Sequence, residues 1–316
     1  MFYIGIDLGA TSAKVGVVDE AGRILGKASC KTGIERGFEP IAADMAEACR
    51  RAARESGLEM ADFAAVGVGI PGEQNRQTEL VAFCNNLGWV DVPLKQRLEA
   101  ALALPVYVDN DANVAALAES RFGASKDAPT SILITLGTGI GGGIVQNRRL
   151  HTGAHGVGGE IGHMVIAMNG EECNCGHRGC WEKYASATAL IRMGREIMAK
   201  KPGCALAARL GGDPDRVDAK AVLDLAKEGD ADCMGIFRDY VHYLCIGMGN
   251  LVNLYDPDMF VLGGGVAHAG AFLLDAVRAQ LGKYVYCPSL SFARVELARL
   301  GNDAGIIGAA MLGRED

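Results

Sequence analysis

The chain opens with short apolar runs separated by small-residue turns, a pattern that predicts strands. Residues 2–7 (FYIGID) form the first run, 8–13 (LGATSA) a turn, 14–18 (KVGVV) a second run, 20–22 (EAG) another turn and 23–27 (RILGK) a third run. Together they predict an antiparallel meander. The pattern returns later: a β-branched run at 131–135 (SILIT), a glycine-rich turn at 136–139 (LGTG), a returning strand at 142–146 (GGIVQ) and a turn at 147–149 (NRR). A third strand–glycine junction lies at 259–266 (MFVLGGGV). Between these segments apolar residues recur at helical spacing, which predicts helices over 41–55, 113–122, 190–200 and 236–254. A strand at 105–108 runs into a helix that begins near Asp111.

Size and charge narrow the picture. A chain of 316 residues exceeds one ordinary core and suggests two α/β lobes. Hydrophobic residues at 49% and charged residues at 22% are ordinary for a globular chain, and 43 Gly against 9 Pro point to tight turns rather than disorder. A net charge of -7 gives no general attraction to nucleic acid or to an anionic membrane, so neither is expected as a partner. Any phosphate site must then be local, built from backbone N–H groups and a bound cation. The first residues lack a basic leader, and no apolar run approaches the roughly 20 residues that span a bilayer. A cytoplasmic protein is expected, whose ten Cys are thiols or metal ligands rather than disulfides.

Gly137-x-Gly139-x-x-Gly142 matches a dinucleotide fingerprint as a string, but that fingerprint needs a helix to start at the glycines. A strand follows here, so the reading fails. A phosphate loop of the form GxxxxGK[ST] is absent from the sequence. Each glycine turn alone could be a structural hairpin. Two similar hairpins and a third glycine cluster favour a shared purpose, because turns without Cβ atoms can aim several N–H groups at phosphate oxygens. Thr11 and Thr138 add hydroxyl donors, and Asp7 could hold a hydrated Mg²⁺.

At 108–113 (VDNDAN) the acids and amides suit a helix N-terminus. A carboxylate fixed at such a junction can also accept a proton from a hydroxyl. From 156 to 182 the chain carries Gly159-Glu160-Ile161-Gly162-His163 and then CNCGHRGCWE at 173–182. His163, Cys173, Cys175 and Cys180 can close a tetrahedral zinc site, with glycines allowing the tight loop. His177 is a rival ligand but falls inside the loop between two Cys, so His163 is preferred. Cys30, Cys49, Cys84, Cys204, Cys233, Cys245 and Cys287 show no ligand spacing and read as ordinary, mostly buried thiols.

Residues 7–14 (DLGATSAK) resemble the first phosphate motif of the actin, heat-shock ATPase and sugar kinase superfamily; 136–139 (LGTG) resembles its second, and 262–265 (LGGG) its adenosine motif. The ExGH and CxCGxxGCxE strings at 160–163 and 173–182 resemble the zinc-containing ROK family, and the resemblance runs over nearly the whole chain. It implies two ribonuclease-H-like lobes of the actin-like ATPase fold, with an interlobe cleft and a zinc-binding loop. It implies a nucleotide site for ATP formed by Asp7, Gly9, Ala10, Thr11, Lys14, Gly137, Thr138, Gly139, Gly263, Gly264 and Gly265. Asp111 would be the catalytic base, and Asn86, Asn110, Asp111, Glu160, His163 and Glu182 would contact the sugar. His163 would offer one ring nitrogen to zinc and the other to the sugar, leaving the zinc structural. Family members are commonly homodimers or homotetramers.

The expected function is ATP-dependent phosphorylation of a hexose at its 6-hydroxyl. The segment 180–190 (CWEKYASATAL) resembles the glucose-phosphorylating branch, while N-acetylmannosamine and fructose remain alternatives. A sugar-responsive repressor would need a DNA-binding helix pair ahead of the first strand, and the strand at residue 2 argues against it. A non-catalytic sugar-binding module would not need Asp111 and both phosphate turns. The expected lobes are 1–118, completed by a C-terminal helix at about 304–316, and 119–303 with the zinc loop.

Overall fold

The computed structural model describes residues 1–314. The chain divides into two compact units. One comprises Met1–Leu133, Gly143–Gly159 and the C-terminal segment from Ala298; the other comprises Ile134–Gly142 and Glu160–Leu297.

The first unit is built on strands β1 (Phe2–Leu8), β2 (Ser12–Asp19) and β3 (Ile24–Lys31), then helix α1 (Phe38–Ser56) and β4 (Phe63–Ile70). A small sheet follows, β5 (Glu73–Gln74), β6 (Val81–Cys84) and β7 (Trp89–Val92), then α2 (Leu94–Leu102), β8 (Val106–Asn110) and α3 (Asp111–Phe122). The five-stranded sheet has the order β3-β2-β1-β4-β8. The meander expected at the N-terminus is present, with antiparallel β1–β2 and β2–β3 pairs; β4 and β8 add in parallel.

The alternation along β1 explains how this sheet is covered. Ile4, Ile6 and Leu8 join the core beneath α1 and α2, whereas Tyr3 packs in a second cluster with Leu117 of α3 and Ile306. On that second face the helix backbone comes unusually close. A Cβ on Gly5 would sit 1.9 Å from the Ile306 carbonyl oxygen, and one on Gly67 would sit 1.7 Å from that of Ala309. Only glycine in β1 and β4 lets the C-terminal helix lie against the sheet.

The chain continues through β9 (Ser131–Leu136), β10 (Ile140–Gln146) and β11 (Arg149–Leu150). The second unit then takes α4 (Glu182–Ala185), α5 (Ala187–Lys200), α6 (Ala205–Leu210), α7 (Ala219–Lys227), α8 (Ala231–Tyr255), β12 (Met259–Gly263), α9 (Ala271–Leu281) and β13 (Arg294–Leu297). The second five-stranded sheet has the order β11-β10-β9-β12-β13. α8 is apolar on much of its surface and buries Phe237, Tyr240, Leu244 and Met248. β10 begins at Ile140, directly after the Gly137–Gly139 turn, and a strand in place of a helix there excludes a dinucleotide-binding turn.

The C-terminal helix is shorter than its expected span. α10 covers Ala304–Ala310 and tightens into a 3₁₀ turn at Met311–Gly313; residues 315 and 316 of the expected helix lie outside the described residues. Among the described residues no helix is long and apolar enough to cross a membrane.

Candidate active site

The first unit holds one phosphate-type turn and the strand–helix junction. Between β1 and β2 the chain turns at Gly9–Thr11. Gly9 N–H donates to the Ser12 carbonyl at 3.0 Å, and the buried Thr32 hydroxyl donates to the Gly9 carbonyl at 2.7 Å. Ala10 and Thr11 remain exposed. Asp7, at the end of β1, is three-quarters buried and lies 3.9 Å from Lys14 of β2. Burial pushes its carboxyl above the ordinary value, and the Lys14 charge only partly opposes this. A Cβ on Gly305 of α10 would sit 2.8 Å from the Asp7 carboxyl carbon, so glycine there leaves the acid its space.

At the end of β8, Asn110 caps α3. Its Oδ1 accepts from Ala112 N–H at 2.8 Å and from Asn113 N–H at 3.4 Å. Its amide nitrogen turns the other way, donating to the Gly72 carbonyl at 3.4 Å and to Glu73 Oε1 at 3.3 Å. The cap is therefore the amide, and Asp111 stands exposed as the first helical residue. Asn86 lies exposed in a 3₁₀ turn at Asn85–Leu87, just ahead of the buried Trp89. Glu73 and Asp109 belong to this neighbourhood although sequence reasoning passed them over. The run of polar residues at 109, 110, 111 and 113 was the available signal.

In the second unit, Ala187 N–H donates to the Gly137 carbonyl at 2.8 Å and the Thr188 hydroxyl donates to the Thr138 carbonyl at 2.7 Å. The β9–β10 turn is thus fastened to the start of α5. A Cβ on Gly137 would meet nothing within 4 Å, whereas one on Gly139 would sit 2.3 Å from Glu182 Oε2. Gly263 ends β12, and Gly264, at φ 82°, passes close to Leu136 at the end of β9. Gly265 has open space around it. The three glycine-bearing segments expected to bind nucleotide are therefore all turns at strand ends.

The Cys-rich loop converges on one point. The donor atoms of His163, Cys173, Cys175 and Cys180 all lie within 4.8 Å of one another. Cys173 Sγ is 3.6 Å from His163 Nδ1, and Cys175 Sγ is 3.5 Å from Cys180 Sγ. His177 stays outside this set and approaches Cys175 alone, at 3.5 Å. Gly179, at φ 81°, is required because a Cβ would strike the Ala167 carbonyl oxygen at 1.8 Å. Trp181, fully buried, anchors the loop by donating from Nε1 to the Tyr243 carbonyl of α8 at 2.9 Å.

The same loop presents the two acids. Glu182 Oε1 accepts from Cys173 Sγ at 3.2 Å and lies 4.0 Å from His163 Nδ1; Glu160 Oε2 lies 3.8 Å from His163 Nε2. The imidazole thus directs Nδ1 to the thiols and Nε2 to Glu160. Three thiols this close cannot all ionise unaided. Burial and the neighbouring groups push Cys173 up to about 12. Burial also opposes ionisation of Cys175, but hydrogen bonds from His177 and the two other thiols outweigh it and lower that thiol to about 6. A dication would favour all three thiolates at once, and the Cys₃His donor set fits Zn²⁺.

The ROK family model matches residues 3–316. The glucokinase of Streptomyces coelicolor is 38% identical over 99% of this chain and 97% of its own length. The crystal structure of a ROK family glucokinase from Streptomyces griseus, in complex with glucose and AMPPNP, is 37% identical over 99% of both chains, with a TM-score of 0.82. The ROK hexokinase of Thermus thermophilus is 35% identical over 98% of this chain and 97% of its own, with a TM-score of 0.84. Family model, sequence relatives and fold agree over nearly the full length: the chain belongs to the ROK family.

Proposed function

We propose that this chain is a glucokinase, transferring the γ-phosphoryl group of ATP to the 6-hydroxyl of glucose. The observation that carries the reading is full-length similarity, at 37–38% identity, to glucokinases that include one determined with glucose and an ATP analogue. Asp111, exposed at the start of α3, is the proposed base that takes the 6-hydroxyl proton. The base need not be strong, because phosphoryl transfer passes through a loose transition state in which positioning and charge neutralisation do most of the work. Glu160, Glu182, Asn86, Asn110 and the Nε2 side of His163 are proposed to meet the ring hydroxyls. Each buried acceptor left without its hydroxyl costs roughly 1–3 kcal/mol, which would let such a set discriminate between hexoses.

The open face of Gly137, the exposed Ala10 and Thr11, and Gly263–Gly265 are assigned to ATP, with Lys14 a further contact. Mg²⁺, when bound with ATP, neutralises phosphate charge, and Asp7 is the carboxylate that fits it. Zn²⁺, held by His163, Cys173, Cys175 and Cys180, would fix the loop that carries Glu182.

The test is a panel of glucose, mannose, fructose, N-acetylglucosamine and N-acetylmannosamine with ATP and Mg²⁺, run on the parent and on Asp111→Asn. Glucose should give the highest kcat/KM, and Asp111→Asn should lower kcat by about a thousandfold with glucose affinity little changed. A better rate on N-acetylmannosamine or fructose would replace glucose while keeping the kinase. Absence of phosphorylation on every sugar would remove the kinase reading itself.

A further inference from the structure

Asp109 immediately precedes the two residues on which the proposed reaction depends. We propose that Asp109 and Arg76 form a positioning pair that fixes the Asn110–Asp111 junction; this rests on the kinase reading of Asp111. The Asp109 side chain is 14% exposed, and both of its oxygens are engaged. Oδ1 accepts from Asn110 N–H at 2.8 Å and from the Asn113 amide at 2.8 Å. Oδ2 lies 3.8 Å from the Arg76 guanidinium.

These bonds straddle Asp111. Asn110 comes just before it, and Asn113 lies two residues after it in the first turn of α3. Asn113 is 3% exposed, and its own Oδ1 has no hydrogen-bond partner. Its side-chain orientation therefore hangs on the bond to Asp109. A carboxylate that grips the strand end and the first helical turn together sets the rotation of that turn, and so the direction in which Asp111 leaves the helix.

Arg76 supplies what burial withholds. Burial pushes the Asp109 carboxyl upward, and the Asn113 and Asn110 bonds and the Arg76 charge oppose this. Arg76 is half exposed and comes from the β5–β6 connection. It packs beside Gly156, where a Cβ would sit 3.3 Å from Arg76 Cγ. The other charged or titratable groups around this point are Glu73, which accepts from the Asn110 amide, Asp111 itself, and His155, which lines the same cavity as Glu73 and Arg76. Arg76 is the cation that reaches Asp109 among the described residues.

The test uses Arg76→Met, Arg76→Lys, Asp109→Asn and the double variant Arg76→Met with Asp109→Asn. Arg76 is exposed enough that its replacement should leave the fold intact, and Asn keeps the shape of Asp109. Arg76→Met should lower kcat for glucose by about tenfold with KM for ATP within about twofold, and Arg76→Lys should recover most of the loss. In the Asp109→Asn background, Arg76→Met should add less than about twofold. A kcat for Arg76→Met within about twofold of the parent, or losses that multiply in full, overturns the pair. An inactive parent sinks the kinase reading alone. The pair is then decided by melting temperatures of the same proteins, where non-additive shifts support it and additive shifts overturn it.

Discussion

The two glycine hairpins look alike as sequence and differ in what completes them. The β1–β2 turn carries its own charges, Asp7 and Lys14, on the two strands that form it. Its backbone is tied by Ser12 of β2 and by the buried Thr32, which directly follows β3. The β9–β10 turn carries no acid. It receives a carboxylate from Glu182, more than forty residues onward, and it is held by Ala187 and Thr188 at the start of α5. One hairpin is self-contained, and the other depends on the Cys-rich loop being folded. A short turn motif therefore defines a backbone shape, while its chemistry depends on what the rest of the chain brings to it.

Of the effects that compare the two hairpins, the largest breaks the self-contained one. Asp7→Asn should lower kcat by about a hundredfold or more at saturating Mg²⁺ and ATP. It should also raise stability at neutral pH. Asp7 titrates above 3.8 in the folded chain, so the folded state binds that proton more tightly than the unfolded state. Stability then falls as pH rises from 3.8 through the raised folded value, and it stays lowered at pH 7. Removing the charge should raise Tm at pH 7 by about 2 °C, with the gain shrinking toward acid pH. Calorimetry across pH reads this, and an Asn variant less stable at pH 7 would contradict the burial argument.

The next effect separates the hairpins through the metal. Native protein should carry about one zinc per chain, and Cys175→Ser should lose it. KM for glucose should rise by about thirtyfold as the loop holding Glu182 loosens, while the Mg²⁺ dependence proposed for Asp7 should stay unchanged. Elemental analysis and steady-state kinetics check both halves. Fully active protein without zinc would show that the second hairpin does not depend on the loop in this way.

A smaller effect is expected from Gly139→Ala. The new methyl would meet Glu182 Oε2 at 2.3 Å, and the end of a flexible acid can move aside. KM for glucose should rise about tenfold with the fold retained, as judged by circular dichroism. The smallest effect compares the ties on each turn. Thr188→Val removes an exposed hydroxyl bond and should raise KM for ATP only about twofold. Thr32→Val removes the bond from the buried Thr32 hydroxyl to the Gly9 carbonyl and should lower Tm by several degrees more than Thr188→Val does. Equal shifts in the two variants would remove the distinction drawn between the hairpins.

Much of this was readable along the chain. The strands of the meander and of β9–β10, the helix beginning at Asp111 and the Cys-rich loop each follow from patterns a few residues long: alternation, glycine turns, an amide at a helix start, and three Cys between 173 and 180. Such signals are local because backbone geometry and capping are local. The small β5–β7 sheet was not readable, because its strands are two to four residues long and no period can build up over that span. The spacing of Cys173, Cys175 and Cys180 suggests a metal loop with His163 preferred over His177, and the folded loop brings His163 into the four-donor cluster. Glu182 against Gly139, Gly305 beside Asp7, and Arg76 reaching Asp109 join residues far apart in sequence. The amino-acid order determined which turns, caps and ligands exist. Packing of helices on sheets, with glycines permitting the closest approaches, decided which of them meet, because proximity across the chain is a property of the packed core and leaves no periodicity in the residues that share it.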